Sequence, residues 1–320
     1  MNNKIGIVVA YFGKFPNYFP LWLKSCGSNP TIDFIIVTDQ DLKVKEDNVI
    51  VKRMTLLDMQ VRASNVLGFD AKLSKPYKCC DYRPVYGLLF SDLLSKYDYW
   101  GHCDVDLIFG DLQYFFDKYD LYSYDKFGTL GHLSLYRNNE KMNNSFIKIC
   151  EGLNYREVFS IENNCLFDEL GGIYKIHKNM NVKLFTKRIF IDIATIYKRY
   201  RIIDVYKLDT PAENYPVQTF CWDNGKVFHV YESNGIIHKQ EYIYIHFQKR
   251  PNFELSHESL SSDMFYITNK GFIPATKERL TGNEILKMNP YPGGLYEVLE
   301  GRYSMLKRRI YRYIKRKLSI

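Results

Sequence analysis

The chain has 320 residues, of which 46% are hydrophobic and 25% are charged, in the range of ordinary soluble globular proteins. Its net charge is +8, but eight of its 44 basic residues follow Glu300, and the other 36 equal the 36 acidic residues in number. A basic nucleic-acid groove across the body is therefore not expected, and no run approaches the roughly 18 apolar residues of a transmembrane helix.

Apolar segments of strand length alternate with helical patterns through the first half of the chain. In chain order, the pattern predicts a strand over Lys4–Tyr11, a helix from Pro16 or Asn17 through Cys26, strands over Asp33–Thr38 and Asn48–Lys52, a helix over Asp81–Lys96, and a strand that enters Asp104. This alternation predicts an α/β fold, a Rossmann-like and mostly parallel sheet flanked by helices.

The second half is less regular. Asp111 is a predicted cap for a helix over Leu112–Asp117, and the later pattern predicts a strand over Thr129–Tyr136, a helix over Lys141–Cys150, and strands over Arg201–Tyr206, Lys226–Tyr231 and Glu241–Phe247. The simplest domain division is one catalytic domain over residues 1–300 and a helical tail over 301–320. Seven cysteines without a Cys-x-x-Cys spacing indicate a reducing, cytoplasmic setting.

The most informative segment is the aromatic strand Tyr97–Cys103 followed by Asp104-Val105-Asp106. In an extended backbone, residues two apart project to the same side, so Asp104 and Asp106 are expected to converge while Val105 faces the core. Paired carboxylates at a strand end require a cation, and oxygen ligands suit Mg²⁺ or Mn²⁺. Such an ion commonly holds a diphosphate, although an isolated Asp-x-Asp is more often a surface turn.

Other polar and aromatic residues follow predicted strands at the same end. Tyr11, Phe12 and Gly13 follow the first strand, and Asp39 follows the second. Ligands of open α/β sheets bind outside the carboxyl ends of the strands. We therefore expect these residues to lie near the Asp104–Asp106 pair, with ordinary strand-end packing as the alternative.

Over about residues 4–250, the sequence resembles glycosyltransferases of the GT-A type that act in bacterial capsule and O-antigen biosynthesis. The resemblance rests on these segments: Tyr11–Gly13, Val37–Asp39, Lys78–Pro84, Trp100–Gly110, Gly131–Asn138, Phe167–Glu169 and Ile245–Pro251. The order also resembles retaining galactosyltransferases with a late His-Phe and Lys-Pro element. In this chain Arg250 stands before Pro251, which leaves the retaining or inverting outcome open.

The resemblance implies a role for each matched residue. Asp104 and Asp106 would hold Mn²⁺ or Mg²⁺, with His246 as a third ligand; the other reading of His246 is a hydrogen-bonded strand histidine. The residues implied in donor binding are Tyr11, Phe12, Gly13, Asp39, Arg83, Asp104, Lys249 and Arg250, of which Lys249 and Arg250 would contact phosphate oxygens. Asp168 or Glu169 would be the catalytic carboxylate, either as a general base or as a group that steadies oxocarbenium-like charge.

The C-terminal tail has apolar residues at helical spacing, at Tyr303, Leu306, Ile310, Ile314 and Leu318. Basic residues between Arg302 and Lys317 cover much of the opposite face. This pattern predicts a helix on an anionic membrane surface, and hence a peripheral position at the inner face of the cytoplasmic membrane. A helix docked on the body and a nucleic-acid arm are the alternatives.

These observations lead to three hypotheses about function. The first is a metal-dependent glycosyltransferase that moves a sugar from a nucleotide-diphosphate donor, with UDP favoured, to a growing and lipid-linked glycan. The second keeps the fold and transfers a nucleotidyl or phosphosugar group, although the chain has no Gly-rich phosphate loop near the first strand. The third is a non-catalytic protein that binds membrane or nucleic acid through its tail. The donor sugar, acceptor and linkage are left open.

Overall fold

The computed structural model describes residues 3–203, 211–248, 253–275 and 280–317. Its internal contacts divide the chain into two compact units. The first unit comprises Met1–Leu107 and Asp111–Lys187, and the second comprises Ile108–Gly110 and Arg188–Ile320. The fold is mixed α/β with a large, mostly parallel sheet flanked by helices, as the alternation in the sequence predicted.

The strands in chain order are β1 Ile5–Ala10, β2 Ile32–Thr38, β3 Val49–Arg53, β4 Tyr99–Cys103, β5 Leu107–Phe109, β6 Lys126–Phe127, β7 Leu133–Arg137, β8 Leu184–Phe185, β9 Ile191–Asp192, β10 Gln218–Asp223, β11 Lys226–Ser233, β12 Ile236–Tyr242, β13 Tyr244–His246, β14 Glu254–Leu255, β15 Met264–Ile267 and β16 Gly271–Pro274. The α-helices are α1 Phe19–Gly27, α2 Leu56–Leu67, α3 Cys79–Tyr82, α4 Tyr86–Leu89, α5 Ser91–Leu94, α6 Leu112–Lys118, α7 Glu140–Asn143, α8 Tyr155–Phe159, α9 Ile173–Asn179, α10 His257–Ser261, α11 Gly282–Met288 and α12 Gly294–Lys317. Short 3₁₀ turns cover Pro76–Lys78, Arg83–Val85, Leu121–Ser123 and Ser145–Ile147.

The first unit contains a seven-stranded sheet in the order β3-β2-β1-β4-β7-β6-β8. Strands β3, β2, β1 and β4 are parallel, β7 runs antiparallel to both β4 and β6, and β8 is parallel to β6. The near-continuous apolar sequences of β1 and β2 are buried, as is typical of parallel strands covered on both faces. The predicted strands near residues 4–11, 33–38 and 48–52 are thereby confirmed.

The prediction of one helix over Asp81–Lys96 is wrong. The segment is broken into α3, the 3₁₀ turn Arg83–Val85, α4 and α5. Pro84 has no N–H to donate and its ring crowds the preceding turn, while Phe90 leaves the helical region with φ −119° and ψ 30°. The turn places Arg83 at the junction between two short helices.

Two further helix expectations also differ from the structure. The predicted helix over Lys141–Cys150 is wrong, because α7 ends at Asn143 and a 3₁₀ turn follows. Helix α2 was not predicted, although Thr55 and Asp58 form a capping box at its start. The predicted cap at Asp111 is confirmed: its Oδ1 accepts a hydrogen bond from the backbone N–H of Tyr114 at 2.9 Å.

The second unit contains a six-stranded sheet in the order β12-β11-β10-β15-β16-β14 and a three-stranded sheet in the order β5-β13-β9. The predicted strand over Lys226–Tyr231 is β11. The predicted strand over Glu241–Phe247 is instead divided between the end of β12 and β13. Within Arg201–Tyr206, Ile202 forms only an isolated bridge with Ile193, and residues 204–206 lie outside the described residues.

Helix α12 begins at Gly294, so the predicted boundary between residues 300 and 301 falls inside one helix. Glu297 in its first turn is paired with Arg201 at 2.7 Å and with Arg199 at 3.2 Å, which fixes the start of the helix within the second unit. In the described part of the chain, no helix combines the length and the apolar character needed to cross a bilayer. The division into domains stays a prediction.

Candidate functional site

Asp104 and Asp106 lie in the short connection between β4 and β5, after the buried strand that the sequence predicted. Val105 between them is 4% exposed and faces the core. Carboxylate oxygens of Asp104 and Asp106 lie within 4.8 Å of each other. The two side chains therefore converge, although the backbone bends at Val105 and Asp106 and is not an extended strand there.

Arg83 connects this pair to a third carboxylate. Its Nη2 donates a short hydrogen bond to Oδ1 of Asp104, and its Nη1 donates to Oδ2 of Asp168 at 2.8 Å and to the carbonyl of Gly131 at 2.9 Å. The Arg83 side chain is only 12% exposed, so these charges interact where water screens them weakly. The rigid fork of a guanidinium suits a bridge between two carboxylates.

Asp168 is 2% exposed and follows the buried Phe167, whereas Glu169 beside it is exposed. Burial raises the pKa of Asp168, and the Arg83 charge opposes that shift. Oδ1 of Asp168 has no hydrogen-bond partner among the described residues. The structure thus separates the two candidate acids: Asp168 lies against Arg83, and Glu169 faces solvent.

A glycine allows the close approach of these groups. A Cβ at position 131 would lie 2.7 Å from Oδ2 of Asp168 and 3.4 Å from Nη1 of Arg83. Distances below 3.0 Å are not sustained between such atoms. Gly131 therefore lets its own carbonyl and the Asp168 carboxylate share one guanidinium.

The loop that carries Asp168 is fastened by a buried ion pair. Lys78 Nζ donates to Oδ2 of Asp81 at 2.8 Å and to the carbonyls of Val158 and Asn163, each at 2.7 Å. The Asp81 carboxylate in turn accepts from the backbone N–H of Cys165 at 2.8 Å and of Phe167 at 2.9 Å. Every donor of the ammonium group is used, which holds residues 158–167 on α3.

Two of the predicted donor-binding residues at the ends of β1 and β2, Gly13 and Asp39, are in contact. Asp39 Oδ1 accepts from the N–H of Gly13 at 2.9 Å, and the positive φ of Gly13, 89°, turns that N–H toward it. A hydrogen bond from Gln40 is the largest cause that lowers the pKa of Asp39, and the contact with Gly13 adds to it. Phe12 differs from its predicted stacking role, because its ring is 6% exposed and packs in the core.

Tyr11 is partly exposed at the same strand end. Its pKa is raised, first by burial and second by the negative charge of Asp106. The tyrosine hydroxyl is therefore electrostatically close to the aspartate pair. The Tyr11 ring stacks on the ring of Phe15, with centroids 4.6 Å apart.

His246 lies on β13 in the second unit. Its Nδ1 is 2.9 Å from Oδ1 of Asp192, and Gln248 Nε2 donates to the same oxygen at 3.1 Å. A carboxylate on one ring nitrogen fixes the orientation of a histidine and is typical of metal ligands. Lys249 and Arg250, the predicted phosphate contacts, lie outside the described residues.

The residues present suit a divalent cation. Asp104 and Asp106 of the first unit offer converging hard oxygen ligands. An oxygen set of this kind suits Mg²⁺ or Mn²⁺. His246 stays a predicted ligand.

Sequence reasoning gave no role to several residues that shape the first unit's site. Lys78, Asp81 and Gly131 lie in segments that carry the resemblance, whereas Tyr77 and Lys126 were not singled out. Lys126 on β6 is 1% exposed, its Nζ lies 4.8 Å from the ring centroid of Tyr136, and burial lowers its pKa to about 7. The Lys-x-x-Asp spacing of Lys78 and Asp81 is the one local signal, since residues three apart face each other on a helical turn.

Comparison with known proteins adds the following findings. The model of a family of unknown function, DUF6625, matches residues 7–276. A solved galactosyltransferase, LgtC with donor and acceptor sugar analogues, is 12% identical with a TM-score of 0.32, over 58% of this chain and 75% of its own. Mouse xyloside xylosyltransferase 1 is 10% identical with a TM-score of 0.36, over 60% and 88%. The search of curated proteins found no match.

Proposed function

The chain is a member of the DUF6625 family, and we propose that it is a metal-dependent glycosyltransferase. It would transfer a sugar from a nucleotide-diphosphate donor, with UDP as the favoured nucleotide, to a growing and lipid-linked cell-surface polysaccharide. The observation that carries the proposal is the cluster in which one buried guanidinium joins Asp104 and Asp168, with Asp106 converging on Asp104. This cluster follows a central parallel strand at its carboxyl end, where α/β sheets bind ligands.

Donor binding is assigned to the ends of β1 and β2 and to the aspartate pair. Asp39, held by the Gly13 N–H, offers a carboxylate to the ribose or base. The partly exposed Tyr11, which stacks on Phe15, would pack against the base. Asp104 and Asp106 would hold the divalent ion, with His246 as the proposed third ligand. When bound, the ion supplies positive charge to the departing diphosphate. Lys249 and Arg250 are proposed phosphate contacts on sequence grounds alone.

Asp168 is the proposed catalytic carboxylate. Arg83 fixes one of its oxygens, and the other is buried with no hydrogen-bond partner among the described residues. A buried acceptor of this kind needs a donor, and in the proposed reaction a sugar hydroxyl that reaches it would be that donor. In an inverting reaction this oxygen takes the proton of the acceptor hydroxyl. In a retaining reaction it steadies positive charge on the donor sugar. Glu169, which is exposed, is the weaker candidate.

Arg83 has a positioning role in this proposal. It holds a metal-binding carboxylate and the catalytic carboxylate at a fixed separation and supplies positive charge next to the expected diphosphate. Positioning groups of this kind act by keeping reactive atoms in place before the reaction.

The tail supports a membrane-bound acceptor. Tyr303, Leu306, Ile310 and Ile314, which form the predicted apolar stripe, are between 47% and 68% exposed. An apolar stripe beside a basic surface suits an anionic leaflet, with about 1 kcal/mol for each basic residue near it. Leu318, the last predicted member, lies outside the described residues.

The function is tested by donor hydrolysis across a panel of nucleotide sugars, with and without Mn²⁺ or Mg²⁺. Asp104→Asn and Asp106→Asn should each lower metal-stimulated hydrolysis by at least 100-fold and abolish Mn²⁺-dependent binding of UDP in calorimetry. Asp70→Asn is the control, because Asp70 is an exposed acid that pairs with Lys72. Undiminished hydrolysis in both site variants would defeat the proposal.

Membrane attachment is tested separately by flotation with vesicles of phosphatidylglycerol and phosphatidylcholine. The full chain should float with the anionic vesicles and detach as salt is raised. Replacing Leu306, Ile310 and Ile314 together by Ser should remove binding without changing donor hydrolysis, since these side chains are exposed. Flotation that persists in this variant would contradict the membrane assignment.

A further inference from the structure

Tyr77 presents an exposed aromatic ring beside the charged cluster of the first unit. It is 58% exposed and belongs to the 3₁₀ turn immediately before α3. Burial of its hydroxyl raises the pKa of Tyr77 to about 12, and the charges of Asp104 and Glu169 add to that shift. Tyr77 therefore lies within electrostatic range of the charges of the site, and more than half of the residue is exposed.

Leu166 presents a second exposed apolar side chain on the loop that carries Asp168. It is 46% exposed, and its φ of 55° lies in the left-handed region, which is unfavourable for a bulky residue. The conformation is held from both sides, since Asp81 accepts from the N–H groups of Cys165 and Phe167. A strained apolar residue is thus kept at the surface two positions before Asp168.

One side chain links these two residues. Asn164 donates from Nδ2 to the carbonyl of Tyr77 at 3.3 Å and accepts at Oδ1 from the N–H of Leu166 at 3.2 Å. Lys78, next to Tyr77, binds the carbonyl of Asn163 at 2.7 Å. Tyr77 and Leu166 consequently belong to segments joined by hydrogen bonds, and we term the surface of these two residues the Tyr77 wall.

We propose that the Tyr77 wall is the acceptor subsite, where the ring of Tyr77 stacks on the apolar face of a pyranoside and Leu166 contacts its edge. This inference rests on the proposed function and names the class of acceptor, a pyranose ring with one apolar face. A pyranoside offers C–H groups to the wall and hydroxyl donors to the carboxylate of Asp168. Sugar sites need both an apolar platform and a convergent polar group, and both occur here.

The experiment measures binding of methyl glycosides of glucose, galactose and N-acetylglucosamine by saturation-transfer NMR on the full chain. At least one glycoside should bind the wild type. Tyr77→Ala should weaken it about tenfold, Tyr77→Phe should stay within about twofold because the ring remains, and Leu166→Asn should weaken it about threefold while tolerating positive φ. Tyr114→Ala, which removes an exposed tyrosine of α6, is the matched control and should change nothing.

Calorimetry of UDP with Mn²⁺ on the same variants separates this inference from the proposed function. Tyr77→Ala should bind UDP within about twofold of the wild type, since the wall is assigned to the acceptor. UDP binding together with no glycoside binding, or glycoside binding that Tyr77→Ala leaves unchanged, would overturn the subsite. Glycoside binding that requires Tyr77 without any UDP binding would support the wall and refute the transferase instead.

Discussion

The buried pair of Lys78 and Asp81 should decide whether the Asp168 loop keeps its place. The side chains are 1% and 0% exposed, and together they hold two carbonyls and two backbone N–H groups of residues 158–167. Lys78→Met would leave a buried carboxylate and two carbonyls without their ammonium donor. Asp81→Asn would leave the buried ammonium of Lys78 without its counter-charge. The new side-chain NH₂ group, which can only donate, would face a backbone N–H that needs an acceptor. Each change breaks the pair from one side.

The expected cost of either single change is about 3–5 kcal/mol of unfolding free energy, since removing one partner strands a buried charge. For a unit of this size, such a loss lowers the melting temperature by roughly 6–20 °C. The double variant, which combines Lys78→Met with Asp81→Asn, strands no charge. It should therefore cost about 2–4 kcal/mol less than the sum of the single changes.

Urea unfolding followed by tryptophan fluorescence measures these energies, and hydrogen exchange at the N–H groups of Cys165 and Phe167 reports the loop directly. Lys72→Met is the control, because Lys72 and Asp70 form an exposed pair, and such pairs contribute little to stability. Single-variant costs below about 1 kcal/mol, or costs that add in the double variant, would refute this account of the loop.

Three further predictions concern other parts of the first unit. Burial lowers the pKa of Lys126 to about 7, so between about pH 7 and 10 the unfolded chain binds one more proton than the folded chain. Below pH 7 the buried side chain is charged in the folded protein, and Lys126→Met should therefore stabilise the protein most there. That gain should shrink by up to about 1.4 kcal/mol per pH unit above 7, and a gain independent of pH in urea titrations would contradict it. Gly131→Ala should push Asp168 from its place, lowering donor hydrolysis at least tenfold and stability by about 1–3 kcal/mol; an active variant that melts normally would contradict it. Asp111→Ala should cost about 1 kcal/mol through loss of the α6 cap, measured by thermal melting with Asp117→Ala as control, and equal melting temperatures would contradict it.

The strands and the aspartate pair were predictable because their signals are local. Strand β1 is a nearly unbroken apolar run, and such a run identifies a buried strand without knowledge of its neighbours. The two-residue repeat of an extended chain predicted that Asp104 and Asp106 lie on one side. Their carboxylates do converge, although the backbone bends at Val105 and Asp106. The cap at Asp111 likewise lies three residues from the N–H that it accepts.

The breaks in the helices were harder to predict from the sequence, because the apolar spacing favours a continuous helix while Pro84 favours a break. Val85, Leu88, Leu89 and Leu93 keep helical spacing across a segment that is not one helix, because Pro84 and the turn at Phe90 interrupt the backbone. The apolar spacing survives the break because each short helix still packs against the same core. Periodicity alone therefore overestimated the length of the helix.

The choice between Asp168 and Glu169 could not be made from the sequence, because neighbouring acids have the same local pattern. It depends on Arg83, 85 residues earlier in the chain, which reaches Asp168 and leaves Glu169 in solvent. Arg83 reaches it from the 3₁₀ turn that contains Pro84 and breaks the helix, and Asp81 on the preceding helix α3 binds the N–H of Phe167. The 3₁₀ turn that made the helix prediction wrong is thus the feature that brings the Arg83 guanidinium to Asp168, the candidate catalytic acid.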